Sequence, residues 1–326
     1  MKKLFKDSDE LSIIAKQLMD DILHSPSCDV QFSNVLGLEE AKRVLRESVI
    51  FPIQYPKLFK GLLQPWRAVL LYGVPGTGKT YLAKALSHES NSTFFNIPAS
   101  SIVSKYRGES EKIVRVLFTL ARTYAPSIIF FDEADALMGI RASYGGGGEH
   151  QEHEGSRRLK TELLVEMDGI NTSNDHVFVL AATNLPWEID TAFLRRLEKR
   201  ILIPLPDKRT RISLIREYLK DHNHLIKDHE LSVITDLLDG FSACDIKQVC
   251  KETVMEKVRK VLYHEPININ SKSPVNEFEA LDLDNLLTSD PITPVEMECS
   301  IKTIKRTTSP DLAQRYKTWE LNYGSK

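Results

Sequence analysis

A chain of 326 residues, 42% hydrophobic and 27% charged, has the make-up of an ordinary water-soluble globule with room for two domains. A net charge of −2 and a pI near 6.5 exclude a globally basic nucleic-acid binder and leave only local basic patches. No apolar run reaches membrane-spanning length, and the polar start MKKLFKDSDE is not a secretory signal. The cysteines Cys28, Cys244, Cys250 and Cys299 lack metal-ligand spacing and suit the reduced thiols of a cytosolic or nuclear protein.

In chain order, LSIIAKQLMDDIL places Leu11, Ile14, Leu18 and Ile22 on one helical face, and SPS (25–27) ends it. Five short, apolar, β-rich runs follow: AVLLYG (68–73), TFFNI (93–97), SIIFFDE (127–133), VFVLAAT (177–183) and RILIPL (200–205). They read as buried parallel strands. Helical patterns lie between them at Lys79–Ser90, Glu109–Tyr124 and Ser156–Met167. In the second, Ile113, Val116, Leu117 and Leu120 mark one face. Strands alternating with helices predict an α/β fold with a doubly wound, five-stranded parallel sheet.

From Asp207 the strand signal fades, and helices at 208–220, 230–238 and 242–263 predict a small all-α domain. Residues 264–294 are polar and irregular, and DLAQRYKTWELNYG (311–324) reads as a last amphipathic helix. The run Gly145 to Gly148 falls in a polar stretch expected to be a surface loop, and the neighbouring HQEH (150–153) lacks a third metal ligand. The expected organisation is a linker helix (1–31), a nucleotide-binding α/β domain (32–206), a helical domain (207–308) and a C-terminal helix (309–326).

GVPGTGKT (73–80) has the spacing G-x-x-x-x-G-K-[ST] and directly follows a strand. Glycines there let backbone N–H groups curl round phosphate oxygens, and the following helix adds its positive end. Gly73, Val74, Pro75, Gly76, Thr77, Gly78, Lys79, Thr80 and Tyr81 form the candidate ATP cradle. Lys79 would reach the β- and γ-phosphates and Thr80 would hold Mg²⁺. Asp132 ends an apolar strand, where its carboxylate can support Mg²⁺, and Glu133 beside it suits the polarising of an attacking water. Asn184 ends VFVLAATN, at the strand edge where ligands of open α/β sheets bind. In DTAFLRRLEKR, Arg195 and Arg196 are adjacent and cannot both fold back on one nucleotide, which suits arginines offered to a neighbouring protomer. Each feature also has a plainer reading: a glycine-rich turn, surface carboxylates, a turn-forming Asn and a solvated basic pair.

Taken together, these residues resemble AAA ATPases of the meiotic clade, and within that clade the catalytic subunits of katanin, of the katanin-like type. The resemblance runs through NVLGLEEAKR, FPIQYPKLFKGLLQPWRAVLLYG, SKYRGESEKIVRVLF, LARTYAPSIIFFDEADAL, SRRLKTELLVEMDG, NLPWEID, RRLEKRILIPLPDKRTR, GFSACDI and SPDLAQRYKTWELNYGS. It implies that Lys79 and Thr80 are the Walker A pair, Asp132 and Glu133 the Walker B pair, Asn184 sensor 1, and Arg195 and Arg196 fingers acting in trans in a homo-hexamer. It places Val35 and Leu36 where the family frames adenine with backbone, and Ala243 near the adenine. Three positions depart from the family pattern: Val74 for proline, Leu194 for arginine and Ala243 for glycine. None removes a group the chemistry needs.

The resemblance also implies a role for SKYRGES (104–110), where Lys105, Tyr106 and Arg107 would line the central pore of the ring. A tyrosine ring can wedge between side chains of an extended peptide, at about 1 kcal/mol per contact, and the flanking cations attract acidic segments. A second loop, roughly 138–158, would add Arg141, Arg157 and Arg158, and its Glu149, Glu152 and Glu154 make its charge mixed. The implied activity is microtubule severing, with tubulin C-terminal tails pulled through the pore, at cytoplasmic, cytoskeletal sites such as spindle or basal-body structures. The alternatives are a related translocase that dismantles membrane-remodelling filaments and a nucleotide-gated microtubule scaffold. A nucleic-acid motor is disfavoured by charge. Only residues 1–31 precede the ATPase core, so the expectation is either a trimmed or naturally short form or a regulatory or targeting partner that delivers the chain.

Overall fold

The computed structural model describes residues 15–16, 30–99, 102, 110–139, 154–172, 175–264 and 290–325. The helix expected over 11–22 (apart from residues 15–16), the Lys105–Arg107 loop, most of the second loop, the glycine run and HQEH lie outside these residues. Two compact units emerge. One gathers the described residues of Met1–Gly73, Gly78–Pro204 and Gln314–Lys326, and the other Val74–Thr77 and Leu205–Ala313.

In the first unit, β1 (Ala68–Tyr72), β2 (Thr93–Pro98), β3 (Ser127–Asp132), β4 (Val177–Thr183) and β5 (Lys199–Leu202) form one sheet in the order β2-β3-β4-β1-β5. Every pairing is parallel. All residues of β1 and β4 are buried, as expected for central strands covered on both faces. The chain leaves β1 through helix Lys79–Ser90 to the far edge and steps back through β3 and β4. It then passes over to β5 on the other side of β1. β5 starts at Lys199 and stops at Leu202, short of Pro204, which has no N–H to give a ladder.

Helices Ser110–Thr123 and Glu154–Thr172 are joined by Arg122, which pairs with Glu166 at 2.6 Å. The second runs past both ends of the expected Ser156–Met167. It continues through Gly169, where the Arg122 guanidinium lies 3.2 Å from the position a Cβ would take. The structure also contains helical elements that periodicity does not isolate. Glu39–Leu45 continues through a π-helical turn, Arg46–Ile50, into Phe51–Gln54. The π-turn shifts the apolar period, yet Ala41, Leu45, Val49 and Ile50 still reach the main core.

The second unit contains Lys208–Leu219, Asp228–Leu237, Ala243–His264 and Pro294–Thr303. GFSACDI has a local cause. Ser242 N–H donates to the buried Asp245 carboxylate at 2.9 Å, and Asp245 N–H returns to Ser242 Oγ at 3.2 Å, a reciprocal cap on the helix start. Pro294–Thr303 begins with Pro at N1 behind the cap Thr293. Lys257, buried, binds Asp290 at 2.8 Å and Glu296 at 2.9 Å. Burial alone would raise the Glu296 carboxyl, but Lys260, Lys257 and Thr293 hold it at about 2.

The C-terminal helix, Pro310–Tyr323, buries Tyr316 and Trp319. Trp319 meets the Tyr72 ring edge-on at 4.4 Å. Past its end, Ser325 N–H donates to Arg200 O at 3.0 Å, Arg200 N–H donates to Ser325 Oγ at 3.0 Å, and the Arg200 guanidinium binds Tyr323 O at 2.9 Å. The outer side of β5 is thereby covered. Among the described residues no helix is long and apolar enough to cross a membrane.

Candidate functional site

Sheet register assembles the site. Tyr72 lies beside Thr183 and Pro98 beside Asp132, so Gly73, Glu133 and Asn184 all begin loops at the C-terminal edge of the strands. Gly73 has φ +149°, and a Cβ on it would stand 2.3 Å from Ile203 O. Lys79 opens its helix buried, with Nζ 2.9 Å from Gly73 O. Burial lowers the Lys79 ammonium to about 8, against the opposing pull of Asp132. A phosphate would raise it again, so nucleotide binding near or above pH 8 would take up a proton. ATP affinity is expected to fall as pH rises above about 8, by at most about tenfold per unit. Titration calorimetry from pH 7 to 9.5 checks this, and a flat affinity would contradict it.

Thr80 Oγ1 donates to Asp132 Oδ2 at 2.8 Å. Two oxygens so placed, one neutral and one anionic, are the donor set a hard divalent cation accepts. Glu133 is exposed and takes φ +52°, a left-handed conformation that costs a non-glycine residue about 1–3 kcal/mol. The turn is held on both sides: Glu133 N–H donates to Asp132 Oδ1 at 3.0 Å and Ala134 N–H to Ala182 O at 2.8 Å. Asp135 accepts the Thr183 hydroxyl at 2.6 Å, and Leu185 N–H donates to that same hydroxyl at 2.9 Å. Thus the loops carrying Glu133 and Asn184 are tied together. Asn184 Oδ1 is buried without a hydrogen-bond partner, an acceptor that suits a water or ligand.

Within the second unit, Gly76 (φ +77°) accepts from Cys244 N–H at 3.1 Å, next to Ala243. A Cβ on Gly76 would come within 2.8 Å of Ser242 Oγ and Cys244 Cβ. Gly76→Ala is therefore expected to weaken nucleotide affinity about tenfold or more through the left-handed backbone and the clash. A fluorescent-nucleotide titration checks it, and unchanged affinity would contradict it. Thr77 Oγ1 donates to Val74 O at 2.8 Å and closes the loop locally. Val35 has its side chain in the main core, which leaves only its backbone for a ligand. Leu36 is half-buried, Ala243 is half-buried and Tyr81 is exposed.

The two arginines differ. Arg196 is clamped by Asp168, Nε to Oδ1 at 2.8 Å and Nη2 to Oδ2 at 2.5 Å, and also donates to Ala192 O at 3.0 Å. Arg195 is exposed. Leu194, just before the pair, is buried. Lys105, Tyr106 and Arg107 lie outside the described residues. A cavity of about 250 Å³ at the opposite edge of the strands, beside Pro52, Trp66, Arg67 and His176, contains none of the candidate site residues. Sequence reading passed over Asp168, Thr183 and Tyr316, whose contacts join segments far apart in the chain.

A glycine loop between a central parallel strand and a helix, with carboxylates at the end of β3, one strand beyond β4, defines the P-loop class of nucleotide-binding α/β folds. The family model described as ATPase family associated with various cellular activities (AAA) matches residues 69–205. The A-like 2 type of the katanin p60 ATPase-containing subunit from Xenopus tropicalis is 46% identical over 97% of this chain and 56% of its own length. The A-like 1 type from Danio rerio is 41% identical over 98% of this chain and 62% of its own length. Among solved structures, the FIGL-1 AAA domain with ADP is 35% identical, with a TM-score of 0.80 and 98% of both chains covered. The structure titled "Structural Basis for Katanin Self-Assembly" is 33% identical, with a TM-score of 0.74 and 96% of both covered. The chain belongs to the AAA ATPases, and its curated relatives include katanin p60 proteins. It spans 56% to 62% of the length of the two curated relatives named here.

Proposed function

We propose that this chain is a Mg²⁺-dependent ATPase that severs microtubules as a homo-hexameric ring. The contact between Thr80 and Asp132, one residue from Lys79 and one from Glu133, carries the hydrolytic part of the reading. Bound Mg²⁺ would neutralise phosphate charge. Thr80 and Asp132 would hold that ion, and Lys79 would swing from Gly73 O to the β- and γ-phosphates. Glu133 would accept a proton from the attacking water, Asn184 Oδ1 would order that water, and Arg195 would reach a neighbouring protomer's nucleotide. Val35 and Leu36 would frame the adenine with backbone atoms.

Likeness to katanin p60 proteins supports the client: acidic tubulin tails, drawn through a pore lined by Lys105, Tyr106 and Arg107. Labelled microtubules imaged with purified protein, with and without ATP, test this. Cutting is expected only with ATP and should weaken with added salt, which screens the cationic pore. Tyr106→Ala is expected to abolish cutting while keeping basal ATP turnover. Cutting by that variant at the normal rate would overturn the pore reading.

A further inference from the structure

We infer that Tyr316 is a positioning residue for ATP hydrolysis, its hydroxyl bridging the main-chain carbonyls of Gly73 and Asn184. The hydroxyl lies 3.1 Å from Gly73 O and 2.5 Å from Asn184 O. The side chain is 2% exposed, so no bulk water competes. A phenol has one proton to offer two acceptors, and the shorter contact is to Asn184. Burial raises the phenol to about 12, which keeps it a donor through any working pH.

The bridge joins the two ends of the candidate chemistry. Gly73 opens the phosphate loop, and its carbonyl also receives Lys79 Nζ at 2.9 Å. When Lys79 turns to a phosphate, the longer contact of the Tyr316 hydroxyl, at 3.1 Å, is still in place at that carbonyl. Asn184 has its Oδ1 buried and unpartnered, so its main chain must set where that oxygen points. Tyr316 holds that main chain from outside the sheet. Its ring lies 5.2 Å from Trp187, and the Arg315 guanidinium sits 3.7 Å over the same indole. This stack fixes the Pro186–Glu188 turn that follows Asn184. The C-terminal helix thus contributes to the phosphate edge of the sheet.

The inference rests on Asn184 ordering the attacking water. The test is steady-state ATP turnover by the full chain carrying Tyr316→Phe, Asn184→Ala or both, with ADP affinity and thermal unfolding measured alongside. Tyr316→Phe keeps the ring packing and removes only the hydroxyl. Its kcat is expected to fall about five- to tenfold, with KM and ADP affinity within about twofold of the parent. In the Asn184→Ala background it should cause no further loss, because both changes remove the same effect. Parental kcat in Tyr316→Phe, or an equal loss in both backgrounds, would overturn the inference and leave the Asn184 reading standing. ADP affinity falling in step with kcat would make the hydroxyl a plain structural strut and overturn it too. Parental turnover by Asn184→Ala would remove the Asn184 reading and this inference with it.

Discussion

Glu133→Gln is expected to cut ATP turnover by about 10²–10⁴-fold while nucleotide binding survives. The change swaps a carboxylate for an amide of the same shape, so the left-handed turn at φ +52° is kept. The hydrogen bonds holding that turn come from Asp132 and the Glu133 and Ala134 main chain, not from the Glu133 side chain. Lys79, Thr80 and Asp132 keep their contacts. What disappears is the basic carboxylate oxygen proposed to accept the proton of the attacking water. Steady-state turnover together with fluorescent-nucleotide binding measures both halves. Substantial hydrolysis by this variant would remove Glu133 from the chemistry, and lost binding would assign it to the cradle instead.

Arg195→Ala is expected to slow turnover by about 10³–10⁵-fold, the range seen when a finger arginine is missing. Arg196→Ala should cost less, because Arg196 is already engaged by Asp168 and Ala192 O whereas Arg195 is exposed. If Arg195 serves a neighbour, two defective variants should repair each other. Mixing Arg195→Ala with Glu133→Gln creates interfaces with an intact Glu133 on one side and an intact Arg195 on the other. Turnover in the mixture should exceed that of either variant alone. Additive residual rates at every mixing ratio would show that the arginine acts within its own chain or not at all.

The five-stranded sheet was legible because its strands are short apolar runs separated by clean helical periods, and the observed bounds differ from the expected ones by a few residues at most. Gly73–Thr80, Asp132, Glu133 and Asn184 could be placed because each ends or follows a strand on one edge. The helical stretch from Glu39 to Gln54 was not legible, since a π-turn breaks the period and Pro52 reads as a stop. Pro294–Thr303 carried its own start signal, Thr-Pro-Val-Glu, inside a segment read as polar and irregular. Tyr316 could not be found by pattern. Its hydroxyl meets Asn184 across 132 positions and Gly73 across 243, and no local spacing encodes a contact of that range. Asp168 escaped for the same reason, joined to Arg196 across 28 positions.

The hold that Tyr323 and Ser325 keep on Arg200 has a practical side. Among the described residues, strand β5 has a strand neighbour on one flank only, and a bare flank invites another chain to pair with it. The final turn acts as a selvedge, closing that flank with three hydrogen bonds. Trimming the chain before Tyr323 would leave the sheet with an open border suited to self-association.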